Sequence, residues 1–266
     1  MMEKRQVLIV GACCLMFVCI SASGGTIPYY GTDFSTNPGW TTDQSENYVW
    51  RKTEELYHVV IKNEAPAYQP NRFFGKILPE PLSSGSFELQ WDVRMESCGW
   101  SAGISFGVFD SHLLGAGLDD PKGTQSITTD FAIGDLGRVM ALTVAGPAGR
   151  STKIHSGAGD FWEFDKWYTN ILSYDKVGDK VDFKFLERET GKIIWDPDPL
   201  SVAGGDFTRE LIFLGGSRYG MGDTGYDGTN RGAEFVGDID NVYLTPEPAT
   251  VLLLGLGGLV LRRRRR

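Results

Sequence analysis

The sequence predicts an all-β protein, an antiparallel β-sandwich, and three observations carry that expectation. Apolar and polar residues alternate from Ser86 to Met95: Phe87, Leu89, Trp91, Val93 and Met95 interleave with Glu88, Gln90, Asp92 and Arg94. That period of two buries one face of a strand and wets the other. Short runs of this kind are separated by Gly, Asp and Pro turns through the middle of the chain, the spacing of a sandwich. The 266 residues include 34 glycines and 12% aromatics, a composition that favours strands and turns over helical bundles.

Each element follows from its own pattern. Leu56 to Lys62 is rich in Val and Ile. Ser101 to Phe109 alternates Ile104, Phe106 and Val108 with small residues, and its glycines suggest a tightly packed or bulged strand. Val139 to Ala145 gives a further strand. Trp167 to Tyr174 and Lys180 to Leu186 read as a hairpin around Asp175-Lys176-Val177-Gly178-Asp179, and a turn at Glu189-Thr190-Gly191 leads into Lys192 to Trp195. Leu211 to Leu214 and Phe235 to Leu244 supply the last strands. Residues 26–245 show no linker or repeat and read as one domain.

The two ends differ from this middle. Lys4 and Arg5 precede an apolar run from Val7 to Ile20, then Ser21-Ala22-Ser23-Gly24-Gly25. Charged, apolar and small residues in that order make a secretory signal peptide, residues 1–23, with a signal helix cut near Ser23; an uncleaved anchor is the alternative. At the other end Pro246-Glu247-Pro248 precedes the apolar run Ala249 to Leu261 and five arginines, Arg262, Arg263, Arg264, Arg265 and Arg266. The run is a short transmembrane helix candidate, and the arginines hold its end on the cytoplasmic side. This tripartite tail, residues 246–266, resembles the PEP-CTERM sorting signal. The resemblance implies an exosortase-type membrane enzyme as partner, cleavage near the motif, brief anchoring in the inner membrane, and delivery to the cell surface or beyond.

The formal net charge of −8 excludes a basic nucleic-acid-binding face. Without Glu3, Lys4, Arg5 and the five terminal arginines, 33 acidic and 19 basic side chains remain, a net charge of −14. Such a surface suits a soluble exported protein or one that binds cations. Cys13, Cys14 and Cys19 leave with the signal peptide, so Cys98 has no intrachain partner and reads as an inert buried thiol.

Catalytic signatures are missing. His58, His112 and His155 are dispersed, and no metal-ligand spacing, nucleophile elbow or phosphate loop occurs. Asp33-Phe34, Pro38-Gly39-Trp40, the meander from Trp167 to Ile194 and the closing Gly237-Asp238-Ile239-Asp240-Asn241-Val242 resemble concanavalin A-like jelly-roll domains. That superfamily includes lectins, laminin G-like modules and some glucanases. The resemblance implies that the first and last strands are neighbours in one sheet. It also implies where an enzyme would carry its acids, on a strand with Glu-x-Asp-x-x-Glu. The nearest match, Glu163-Phe164-Asp165, lacks the third carboxylate because Trp167 and Tyr168 stand there.

Calcium is the cofactor the resemblance suggests, held by Asp33 and Asp240 where first and last strands meet; calcium takes six to eight oxygens. The alternative is that Asp240 caps a turn or pairs with a basic residue. In the Gly-rich stretch 220–232, Asp223, Asp227 and Asn230 are further cation or ligand candidates, with Tyr219 and Tyr226 as aromatic sugar contacts. Trp162, in Phe161-Trp162-Glu163-Phe164, is another stacking candidate. The sequence thus predicts an exported, non-catalytic surface or extracellular-matrix protein, structural or adhesive and associated with exopolysaccharide. A carbohydrate-binding lectin-like module and an unusual glycoside hydrolase are the alternatives.

Overall fold

The computed structural model describes residues 29–42, 45–62, 73–79, 82, 85–99, 103–109, 125–134, 137–147, 149–156, 161–202, 205, 207, 212–217 and 234–246. The signal and C-terminal helices expected from the sequence lie outside the described residues, as do Tyr219, Asp223, Tyr226, Asp227 and Asn230. No helix among the described residues is long and apolar enough to cross a membrane.

Among the described residues sixteen strands follow one another: β1 (Tyr30–Thr32), β2 (Thr41–Thr42), β3 (Tyr48–Arg51), β4 (Leu56–Lys62), β5 (Phe73–Ile77), β6 (Phe87–Cys98), β7 (Gly103–Phe109), β8 (Ser126–Gly134), β9 (Gly137–Gly146), β10 (Gly149–Ser156), β11 (Trp167–Asp175), β12 (Lys180–Glu187), β13 (Ile193–Trp195), β14 (Leu200–Ser201), β15 (Phe213–Ser217) and β16 (Glu234–Pro246). They form two sheets. The first runs β13-β12-β11-β6-β16-β4-β3, with β1 on β16 and β14 on β12; the second runs β10-β9-β8-β7-β15-β5-β2. Pairing among the described strands is antiparallel throughout.

The alternation read from the sequence puts the core between the sheets. Leu89, Trp91, Val93 and Met95 of β6 meet Ile104, Phe106 and Val108 of β7, all at most 2% exposed; the rings of Trp91 and Phe106 are 5.1 Å apart. The predicted hairpin turn is present: Asp175 Oδ1 accepts from the Val177 amide at 2.9 Å, and Asp179 takes φ 48°. Gly107 is among the glycines fixed by close approach. A Cβ at Gly107 would collide with the backbone carbonyl of Ile127 on the adjoining strand.

The first and last strands are neighbours, as the resemblance implied: Tyr30 pairs with Leu244 and Thr32 with Val242. β16 lies inside its sheet, paired with β6, β4 and β1. It extends to Pro246, so a boundary drawn after residue 245 falls within the strand.

Candidate functional site

The outer face of the first sheet carries a charged band built by register. Asp238 of β16 stands opposite both His58 of β4 and Arg94 of β6, and Arg94 stands opposite Trp167 of β11. His58-Asp238-Arg94-Trp167 is therefore one row across four strands. His58 Nδ1 lies 2.8 Å from Asp238 Oδ1, and Arg94 donates to Asp238 Oδ2 through Nε (3.0 Å) and Nη2 (2.5 Å). The same Nη2 donates to Glu96 Oε1 at 3.0 Å. Burial works to raise the Asp238 pKa, but the bonds from His58 and Arg94 outweigh it and hold the carboxyl below its ordinary value. Glu96 shifts upward, through burial and the neighbouring Asp238 carboxylate. His58, Glu96 and Asp238 each bring one atom able to ligate a metal, all within 4.8 Å of one another. The Arg94 guanidinium bridges the two carboxylates and supplies positive charge between them.

A second row repeats the device. Asp240 of β16 and Asp92 of β6 are opposed across the ladder, a like-charge pair that needs a counter-ion. Arg188 provides it, with Nε 3.2 Å from Asp92 and Nη1 3.2 Å from Asp240. Thr169 donates to Asp92 at 2.6 Å, and Asn241 Nδ2 donates to Asp92 at 2.8 Å and to Asp240 at 3.1 Å. Burial raises the Asp240 carboxyl, against the Asn241 amide and Arg188. The guanidinium carbons of Arg94 and Arg188 lie 5.3 and 5.2 Å from the Trp167 ring centroid, tying the two rows together.

Asp33 follows β1, one residue beyond the Thr32–Val242 pair, and is exposed. Its Oδ1 accepts from the Ser35 amide (3.1 Å) and hydroxyl (2.7 Å), which lower its pKa. Of the oxygens named for calcium, Asp33 Oδ1 is engaged by Ser35 and both of Asp240 by Asn241 and Arg188. As arranged, this donor set does not fit a calcium ion without displacing the guanidinium.

The second sheet has a different outer face. Thr41, Gly75, Gly215, Gly107, Thr128, Thr143 and Thr152 align in register across all seven strands. The result is a transverse row of glycines flanked by threonines, in which Gly75, Gly215, Gly107, Thr128 and Thr143 are buried and Thr41 and Thr152 at the two ends are exposed. Beside it, Asp130 accepts from the hydroxyls of Ser105 and Thr143, and burial raises its pKa despite both bonds.

Trp162 does not present a stacking face. It is 0% exposed, Arg138 lies over its ring at 4.7 Å, and Phe164 meets it edge-on. The half-buried aromatics of that segment are Phe161 and Phe164; Phe161 is edge-on to His155 at 4.4 Å, and His155 stacks on Trp195 at 5.6 Å. Phe161, His155 and Trp195 gather where β10 and β13, the outermost strands of the two sheets, come together. Glu163 and Asp165 precede β11 rather than lying on a strand, and Glu163 pairs with Lys166 at 2.8 Å. Burial pushes the half-buried Cys98 thiol up to about 12, which keeps it an unreactive thiol at neutral pH.

Sequence reading missed Arg94, Arg188 and Trp195. The outward acids and base of β6 were visible as alternation, but their partners are non-local: Arg94 and Asp238 are 144 positions apart.

Two antiparallel sheets with these pairings define a jelly-roll β-sandwich of the lectin-like kind. The structure is similar to lectin I of Ulex europaeus, solved with the methyl glycoside of α-L-fucose (11% identity, TM-score 0.54, 83% of this chain and 96% of that one). It is also similar to the CBM2 module of the evolved Dit of Lactobacillus casei BL23 phage J-1 (12%, 0.54, 82% and 94%). Alginate lyase Aly36B aligns at 14% identity with a TM-score of 0.49, over 83% of this chain and 98% of that one. At these identities the likeness is one of fold. No curated protein matches the chain in sequence. Residues 244–266 match the PEP-CTERM protein-sorting motif. The chain is an exported, cell-surface-targeted sandwich protein bearing a signal for an exosortase-type system.

Proposed function

We propose that the protein is a non-catalytic surface component, structural or adhesive, that associates with the exopolysaccharide around the cell. The observation that carries this reading is the fusion of address and fold: the sorting motif begins at Leu244, inside the last strand of the sandwich. What is sorted is the sandwich itself, with no spacer between it and the tag. Brief anchoring through the apolar tail before processing belongs to the same reading.

A second reading, a carbohydrate-binding module, is supported by the likeness in fold to a lectin and to a CBM2 module. Protein recovered from the cell surface, mixed with the cell's own extracted exopolysaccharide, should co-sediment with the polymer and leave its length unchanged. New reducing or unsaturated chain ends would overturn the non-catalytic reading. A glycan array would separate the two readings, since binding to one defined sugar class favours the second.

A further inference from the structure

The sorting motif and the sandwich share three residues. Leu244 is 0% exposed, belongs to the core, and is paired on both sides, with Tyr30 of β1 and Leu89 of β6. Thr245 pairs with Glu88 and Pro246 with Phe87, the first residue of β6. Phe87 is itself fully buried, packed on the rings of Tyr174 and Phe207. Pro246, which has no N–H to give the ladder, is the last residue of β16.

A processing enzyme must hold its substrate as an accessible, extended segment, and chain locked in a sheet interior reaches that state only by local opening. Opening β16 from its end would expose Leu244 and strip pairs from two strands at once. We infer that the folded sandwich sets the upstream limit of processing: the cut lies C-terminal to Pro246, and the mature protein keeps Leu244-Thr245-Pro246 as the end of β16. This rests on the sorting reading and adds to it a position for the modification. In the step, the peptide C–N bond beyond Pro246 breaks. The acyl carbon passes to the enzyme's nucleophile and then to water or an acceptor amine. The nitrogen takes up a proton and leaves as the new N-terminus of the arginine-ended tail.

The full-length precursor, expressed in its own host, tests this. Peptide mass spectrometry of the surface form should give a last residue at 246 or later. Ten Gly/Ser residues inserted between Thr245 and Pro246, which leave Pro-Glu-Pro intact, should give a several-fold faster loss of the tail, because the motif is then clear of the fold. Leu244→Gly, which loosens the end of β16, should add ragged ends upstream of Pro246. A wild-type end at or before Thr245, or tail loss no faster in the insertion variant, would overturn the inference. An intact arginine tail on surface protein is a different result, and would overturn the sorting reading beneath it.

Discussion

The imidazole Nδ1 of His58 sits 2.8 Å from Asp238 Oδ1, although the two residues are 180 positions apart. Asp238 is 1% exposed and also holds Arg94, so it is the junction on which β4, β6 and β16 are charge-matched. Replacing it leaves the buried His58 without its carboxylate and the half-buried Arg94 with Glu96 alone as counter-charge. Asp238→Asn should lower unfolding free energy by about 3 kcal/mol, the usual result of removing one member of a buried ion pair. His58→Gln, which keeps a hydrogen-bonding group, should cost less than half of that. Urea unfolding of the two variants measures both; equal losses would mean that Asp238 is not the hub.

The raised carboxyls give the fold an acid preference. Asp130 and Asp240 have folded pKa values above their unfolded ones, so the folded state binds more protons in that window. Their contribution is fully present below the unfolded aspartate value near about 4 and is lost as pH rises through the folded values. Asp238, held low, contributes with the opposite sign and only at more acidic pH. Stability should therefore fall on going from about pH 4.5 towards neutrality, and Asp130→Asn should flatten that slope. A variant with the parental slope would remove Asp130 from the account.

Arg188 competes with any cation for Asp92 and Asp240. In the parent protein, EDTA should leave the melting temperature unchanged. Arg188→Ala leaves the two opposed carboxylates uncompensated and should cost about 1 kcal/mol or more. Millimolar calcium should restore much of the loss in this variant alone, reversibly with EDTA. A parent protein that melts earlier in EDTA would instead place calcium at Asp33 and Asp240 in the native site.

Thr129 Oγ1 and Asn170 Oδ1 are buried without hydrogen-bond partners. They lie in facing sheets beside the Trp91–Phe106 contact, since Asn170 pairs with Trp91 and Thr129 with Phe106. A buried hydroxyl without a partner costs about 1 kcal/mol or more. Thr129→Val keeps the shape and should be neutral or stabilising by about 1 kcal/mol in chemical denaturation. A loss of stability would show that Thr129 makes a bond through water.

Much of the first sheet was legible because its strands write their burial into their alternation. Leu56 to Lys62 has the bounds read from the sequence, and Phe87 to Met95 has its inner and outer faces as expected. The strands that escaped notice break that rule for physical reasons. β10, Gly149 to Ser156, is a sheet edge exposed on both sides, so nothing apolar alternates. β8 turns Thr129 inward, which interrupts its apolar period. Trp162 was misplaced because an aromatic next to charges reads the same whether it lies under or over the surface. The charged band was illegible for a different reason: Asp238, Arg94 and Arg188 meet only through strand register, which no local window contains.

β16 also has a mechanical meaning. If the mature protein is held by its C-terminal end, any drag on the sandwich enters the fold at Pro246 and travels along this 13-residue strand. The hydrogen bonds to β6, β4 and β1 lie across that line of pull. Tension therefore shears many of them together instead of peeling them one by one. The strand that carries the address would thus also be the part of the domain best placed to bear load.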